Sequence, residues 1–180
     1  MRTALIVGDL QRGIVDNYPF AKAIVPTVAE LLPRARAAGS LIVFVNLAFR
    51  PNGADVPGEP FASFYRAGEH FHEGSRGTEV AFDVAAEDVV VLKRRTSAFA
   101  GTDLDLVLRA NGVDSLALTG VATSAMVAAT LYDASDRGYA LTVLRDGCAD
   151  PEPDVHDLLV ERVFRGRGAN VVACAEWPGR

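Results

Sequence analysis

Six short runs of Val, Leu, Ile and Ala recur along the chain with little polar alternation: Ala4–Val7, Leu41–Asn46, Val89–Lys93, Ser115–Thr119, Ala140–Arg145 and Asn170–Cys174. A strand with one wet face alternates apolar and polar residues; a strand covered on both faces does not need to. Between these runs lie stretches of helical period. Val25–Ala38 carries Pro26 in its first turn and stops at Gly39; Asp103–Ala110 stops at Asn111-Gly112. Ser124–Arg137 stops at Gly138, and Val155–Phe164 opens after Pro151 and Pro153. Strands and helices in alternation pair most simply in parallel, through right-handed crossovers. The expected fold is α/β: a three-layer α/β/α sandwich, Rossmann-like, around a mostly parallel six-stranded sheet.

The 180 residues suit one domain, 1–180. A chain of this length buries roughly 70% of its unfolded surface and needs no disulfide staple. Cys148 and Cys174 make no framework, so a reducing cytoplasm is the expected location. Met1–Asp9 runs directly into a strand pattern, and no signal peptide is expected. The longest charge-free stretch, Ser115–Tyr132, is interrupted by Gly120 and by Ser and Thr, too polar for a membrane span. The balance of 18 basic against 23 acidic side chains, −5 net, argues against a nucleic-acid partner. Only Lys22 and Lys93 among those basic residues are lysine, which singles out a lysine at the end of a strand.

Three polar features fall where strands end. Asp9 follows Leu5-Ile6-Val7-Gly8, Lys93 closes Val89-Val90-Val91-Leu92, and Gly120–Met126 links the fourth strand to a helix. In a parallel sheet those ends share one edge, where ligands bind. An aspartate beside a lysine there is either a catalytic pair, each tuning the other's pKa, or a structural ion pair. The long irregular stretch Phe49–Phe82, rich in Pro and Gly with Phe61, Phe64, Tyr65 and Phe71 interleaved, is the expected pocket wall. The alternative is a surface excursion whose aromatics pack on the sheet edge.

Three blocks carry a family resemblance: Ala4–Gln11, Lys93–Leu104, and Leu118–Val127 continuing to Thr130, Asp133-Ala134 and Gly138-Tyr139. In order and spacing they resemble the isochorismatase-like, or cysteine, hydrolases. The resemblance implies an aspartate, a lysine and a cysteine as the catalytic set. Asp9 and Lys93 match the first two. The cysteine position, six residues after Gly120, is Met126 here. A thioether has no proton to lose and cannot form the thioester of an amidase. The resemblance further implies a backbone oxyanion hole from the amides of Ala122 and Met126, a cis peptide at Val121–Ala122, and a homo-oligomer. It implies the sheet order 3-2-1-4-5-6, although an order 2-1-3-4-5 would bring the Asp9 and Lys93 strands together more directly.

Other nucleophiles are poorly placed on sequence grounds. Ser124 at a helix start reads as a cap. Cys148 lies between Asp146 and Asp150, which disfavour a thiolate, and Cys174 falls in the last strand. Some relatives hold a metal through Asp-x-His after the second strand; here that place reads Asn46-Leu47-Ala48-Phe49-Arg50, so no metal is expected. His70 and His72 have ligand-like spacing without a third ligand, and His156 reads as structural. Arg50, with Ser63 and Phe64, is placed to grip a substrate carboxylate or else is an exposed loop arginine. Gln11 completes the substrate-binding set, and no cofactor is expected. The implied function is a hydrolase acting on a small molecule without a covalent cysteine intermediate, such as vinyl-ether hydrolysis with Asp9 as general acid. The alternatives are a binding or structural protein that has lost catalysis and an amidase using another nucleophile.

Overall fold

A computed structural model describes residues 2–178. The six apolar runs form strands β1 (Arg2–Gly8), β2 (Leu41–Leu47), β3 (Val89–Lys93), β4 (Val113–Val121), β5 (Ala140–Ala149) and β6 (Asn170–Val172). They lie in one sheet of order β3-β2-β1-β4-β5-β6, parallel at every pairing. The more direct 2-1-3 arrangement is therefore not adopted: β2 lies between the Asp9 and Lys93 strands. Successive connections run outward from β1 and then, after the return to β4, outward the other way. That reversal leaves a crevice at the carboxyl ends of β1 and β4.

Both sheet faces are covered, which is why the strands lack polar alternation. In β1, Ala4 and Ile6 face one core, where they join Leu104 and Leu108 of α4 (Leu104–Ala110) and Leu131 of α5 (Ala128–Asp136). Leu5 and Val7 face the other core with Ile24, Val28 and Leu31 of α2 (Pro19–Ala37). The period of two in the strand thus meets helices on both sides.

Several boundaries differ from the sequence expectation. Helix α2 starts at Pro19, so Pro26 and Pro33 are interior rather than initial. Each removes one backbone donor, and burial of the apolar stripe offsets that loss. A short helix α1 (Arg12–Val15) precedes it, and α3 (Phe61–Arg66) lies inside the long irregular segment. The stretch expected as one helix from Ser124 begins instead as a wide π turn, Thr123–Val127, closed by Val127 N–H donating to Ala122 O at 3.2 Å, and then becomes α5. The last helical stretch is likewise α6 (Pro153–Leu158) continued by a π-helical segment, Leu159–Phe164. Strand β5 extends to Ala149 through an irregularity in its pairing with β4, and Cys174 sits in a 3-10 turn after β6 rather than in the strand. Among the described residues, no helix is long and apolar enough to cross a membrane.

The inner strands approach unusually closely where they end. Gly8 and Gly120 are register partners, and a Cβ on Gly120 would lie 2.0 Å from Gly8 O. Gly120 also has φ +118°, a region hostile to L side chains. Gly120→Ala should destabilise the fold by about 3 kcal/mol or more, read as a lowered urea midpoint with unchanged slope.

Candidate active site

Three strand ends meet at the crevice. Asp9 leaves β1 in the left-handed region at φ 58°, a conformation aspartate tolerates better than most residues, and its N–H donates to Val45 O at 2.8 Å. Lys93 ends β3 two strands away. Its long side chain spans β2, which sits about 4.8 Å from each neighbour, and brings Nζ to 2.9 Å from Asp9 Oδ2. Nζ also donates to Arg95 O at 3.1 Å. The pair is buried, with the lysine side chain 2% and the aspartate 10% exposed.

Asp9 Oδ1 has no hydrogen-bond partner among the described residues, although it is shielded from solvent. Burial holds the Asp9 carboxyl above its ordinary value; the Lys93 charge and hydrogen bond pull it down but do not prevail. Burial prevails because the aspartate is almost fully removed from water.

Asp9 and Lys93 open onto a cavity of about 360 Å³. Its walls are largely apolar: Leu47 at the end of β2, Val121, Ala122, Ala125 and Met126 after β4, and an aromatic rim. Phe61 and Phe64 from α3 form part of that rim, so the long segment does supply a pocket wall. Other aromatics of the segment serve the core instead: Phe71 is buried, as is Phe49 at its start. Tyr18, Phe20 and Thr96 also line the cavity and were not singled out from sequence. The available signal was Tyr18-Pro19-Phe20 following the Asp9 turn, with Thr96 three residues beyond Lys93.

Met126 is 2% exposed and lies in the π turn after β4. Its thioether accepts a hydrogen bond from Thr130 Oγ1 at 3.4 Å, while that hydroxyl accepts from Ala98 N–H. A Cβ on Gly8 would fall 1.6 Å from the Met126 Cε, so the methionine methyl fills the space above the residue preceding Asp9. The Val121–Ala122 peptide is cis, and Ala122 and Met126 both border the cavity.

Two residues expected to bind substrate do other work. Gln11 is fully buried; its Nε2 donates to Leu47 O at 2.9 Å and Gly77 O at 3.0 Å, and its Oε1 accepts from Leu47 N–H at 2.7 Å. A side-chain amide matched this way ties β2 to the long segment, with both its N–H groups spent on carbonyls and no part of it on the cavity wall. Arg50 lies outside the cavity lining and pairs with Asp55 at 3.0 Å, while Ser63 Oγ donates to Glu59. Phe64 alone of that trio faces the cavity.

The remaining nucleophile candidates are disfavoured. Cys148 is buried in β5 with Sγ 3.6 Å from Leu118 O, and burial, aided by Asp146, pushes its pKa up to about 12. Burial and Asp146 also raise the Cys174 pKa. Ser124 is exposed and does not cap its turn; Asp150 Oδ2 accepts its N–H at 2.7 Å instead. His156 Nδ1 lies 2.8 Å from Thr123 Oγ1, and the His72 ring packs at a tilt against Tyr65. Among the described residues, no three His, Cys, Asp or Glu side chains gather as metal ligands.

This fold has counterparts among known proteins. A family model described as the isochorismatase domain matches residues 3–176. The chain is 32% identical to a maleamate amidohydrolase of Pseudomonas putida over 176 residues, covering 87% of this chain and 76% of that protein. It is 31% identical to a probable inactive nicotinamidase of Arabidopsis thaliana over 166 residues, covering 86% and 84%. A solved isochorismatase family protein from Desulfovibrio vulgaris superposes with a TM-score of 0.88 at 30% identity, covering 97% of this chain and 95% of that one.

Proposed function

The chain belongs to the isochorismatase family, and within it we propose a hydrolase that cleaves a small molecule without a covalent cysteine intermediate. Position 126 is read as the nucleophile position of the family, occupied here by a methionine. The observation that carries the reading is Asp9: buried, raised in pKa, paired through one oxygen and unpartnered at the other, on the wall of a largely apolar cavity. A carboxyl in that state is suited to deliver a proton.

An acid-labile bond such as a vinyl ether needs that chemistry and no nucleophile. Asp9 Oδ1–H would protonate the terminal alkene carbon, giving an oxocarbenium ion. Water then adds to the cationic carbon and returns a proton to Asp9, and the hemiacetal so formed collapses to a carbonyl compound and an alcohol. Lys93 would hold Oδ2 in place throughout and offer its remaining N–H to the water. The amides of Ala122 and Met126, proposed as the oxyanion-type donors, would steady the negative charge on the departing oxygen as the hemiacetal collapses.

Similarity to a probable inactive nicotinamidase favours a second reading, in which the fold persists as a binding protein and Asp9–Lys93 is a retained ion pair. Turnover separates the two. Wild type should hydrolyse phenyl vinyl ether to acetaldehyde and phenol, and the folded Cys148→Ala/Cys174→Ala variant should match it. No wild-type turnover would favour the binding reading. Loss of turnover in the folded double variant would overturn the thiol-independent mechanism.

A further inference from the structure

Cationic side chains cluster near the cavity in sequence but not on its surface. Arg50 pairs with Asp55, and Arg94 bridges Asp55 at 2.8 Å and Glu73 at 2.5 Å. The Arg95 guanidinium donates to the carbonyls of Asp55 and Arg94. None of the three arginines lines the cavity, whose one cationic residue among those described is Lys93. That ammonium is already held by Asp9 and by Arg95 O, and its side chain is 2% exposed. An incoming carboxylate would have to displace Asp9 to reach it.

We propose that this site selects an uncharged, largely apolar small molecule and rejects close analogues that carry a carboxylate. Phe20, Phe61 and Phe64 give such a ligand apolar contact, and desolvating a carboxylate against them, with the Lys93 ammonium already held by other partners, is costly. A cavity of about 360 Å³ is at the small end of ligand pockets, with room for one ring and a short substituent. Selection here is by a missing cation, an element that works against the wrong ligand as much as for the right one.

The proposal rests on the cavity being the reaction site, and its test separates binding from chemistry. Phenyl vinyl ether and 4-carboxyphenyl vinyl ether differ by one carboxylate. Their equilibrium binding to the whole chain would be measured by calorimetry, beside product release for each. The neutral ether should bind about tenfold or more tightly than the carboxylated one, and Phe64→Arg, which adds a guanidinium to the wall, should narrow or invert that ratio. Equal or tighter binding of the carboxylate by wild type would overturn the proposal, as would no binding of either probe. Binding with the expected preference but no turnover would sustain the selectivity and count against the hydrolytic reading alone.

Discussion

Asp9→Asn should lower turnover of an acid-labile substrate by about 10²–10⁴-fold, the range supplied by a positioned general acid. Asparagine keeps the shape and an acceptor for Lys93 but has no acidic proton to give. The wild-type pH profile carries the same information. Asp9 titrates above the ordinary carboxylate value because burial outweighs Lys93. Only its protonated form is the donor, so turnover should be high at low pH and fall as pH rises through the folded pKa. The same shift acts on stability with the same sign. A carboxyl whose pKa is raised on folding favours the native state below its unfolded pKa, and that contribution declines as pH rises through the folded value. In the asparagine variant the limb assigned to Asp9 should vanish from the rate profile. The substitution also strips a buried lysine of its counter-charge, a loss of about 3–5 kcal/mol in comparable pairs. Rates are therefore compared below the melting transition, with folding verified by circular dichroism. A folded variant that retains most of its turnover would remove Asp9 from the mechanism.

Met126→Cys should create a thiol that alkylates about 100-fold or more faster than either native cysteine. The native thiols are inert for a common reason: burial raises both pKa values, that of Cys148 to about 12. A thiol of ordinary pKa, about 8.5, already holds roughly three thousand times more thiolate at neutral pH than Cys148. Position 126 adds two favourable features. It lies in the turn after β4 whose Met126 amide is proposed as an oxyanion donor, and it borders the cavity that Lys93 also lines. Trimming methionine to cysteine leaves a cavity costing about 1–3 kcal/mol, while Thr130 keeps its bond to Ala98 N–H. Iodoacetamide modification followed against pH, with the modified peptide identified by mass, measures the effect. An engineered thiol no faster than Cys148 would show that the turn does not activate an anion, and would favour the binding reading.

The features legible in the chain before folding are local or periodic. Runs such as Leu5-Ile6-Val7 and Val89-Val90-Val91 specify strands buried on both faces, because no polar period interrupts them. Glycine after Ala38, Arg137 and Asn111 marks where helices or their final turns stop, because a left-handed residue is needed there. Asp9 and Lys93 were legible as site residues because each is a charged side chain at the end of an otherwise apolar strand. Pro26 misled because proline is a starting signal only when burial does not outweigh its lost hydrogen bond; in α2 it does.

Partnership, by contrast, is settled by the three-dimensional arrangement. Strand order places β2 between Asp9 and Lys93, and only the reach of a lysine restores their contact. Gln11 resembles a ligand residue in the chain but is spent on the backbone of β2 and of the long segment, 36 and 66 residues away. Arg50 has a free guanidinium on paper and an Asp55 partner in the fold. The balance that raises the Asp9 pKa likewise depends on how much water the surrounding walls exclude. Patterning reports a residue's own surroundings, since period and burial repeat along the chain. The hydrogen bonds and charges that assign it a role come from distant segments, and they exist only once the loops have returned to one edge of the sheet.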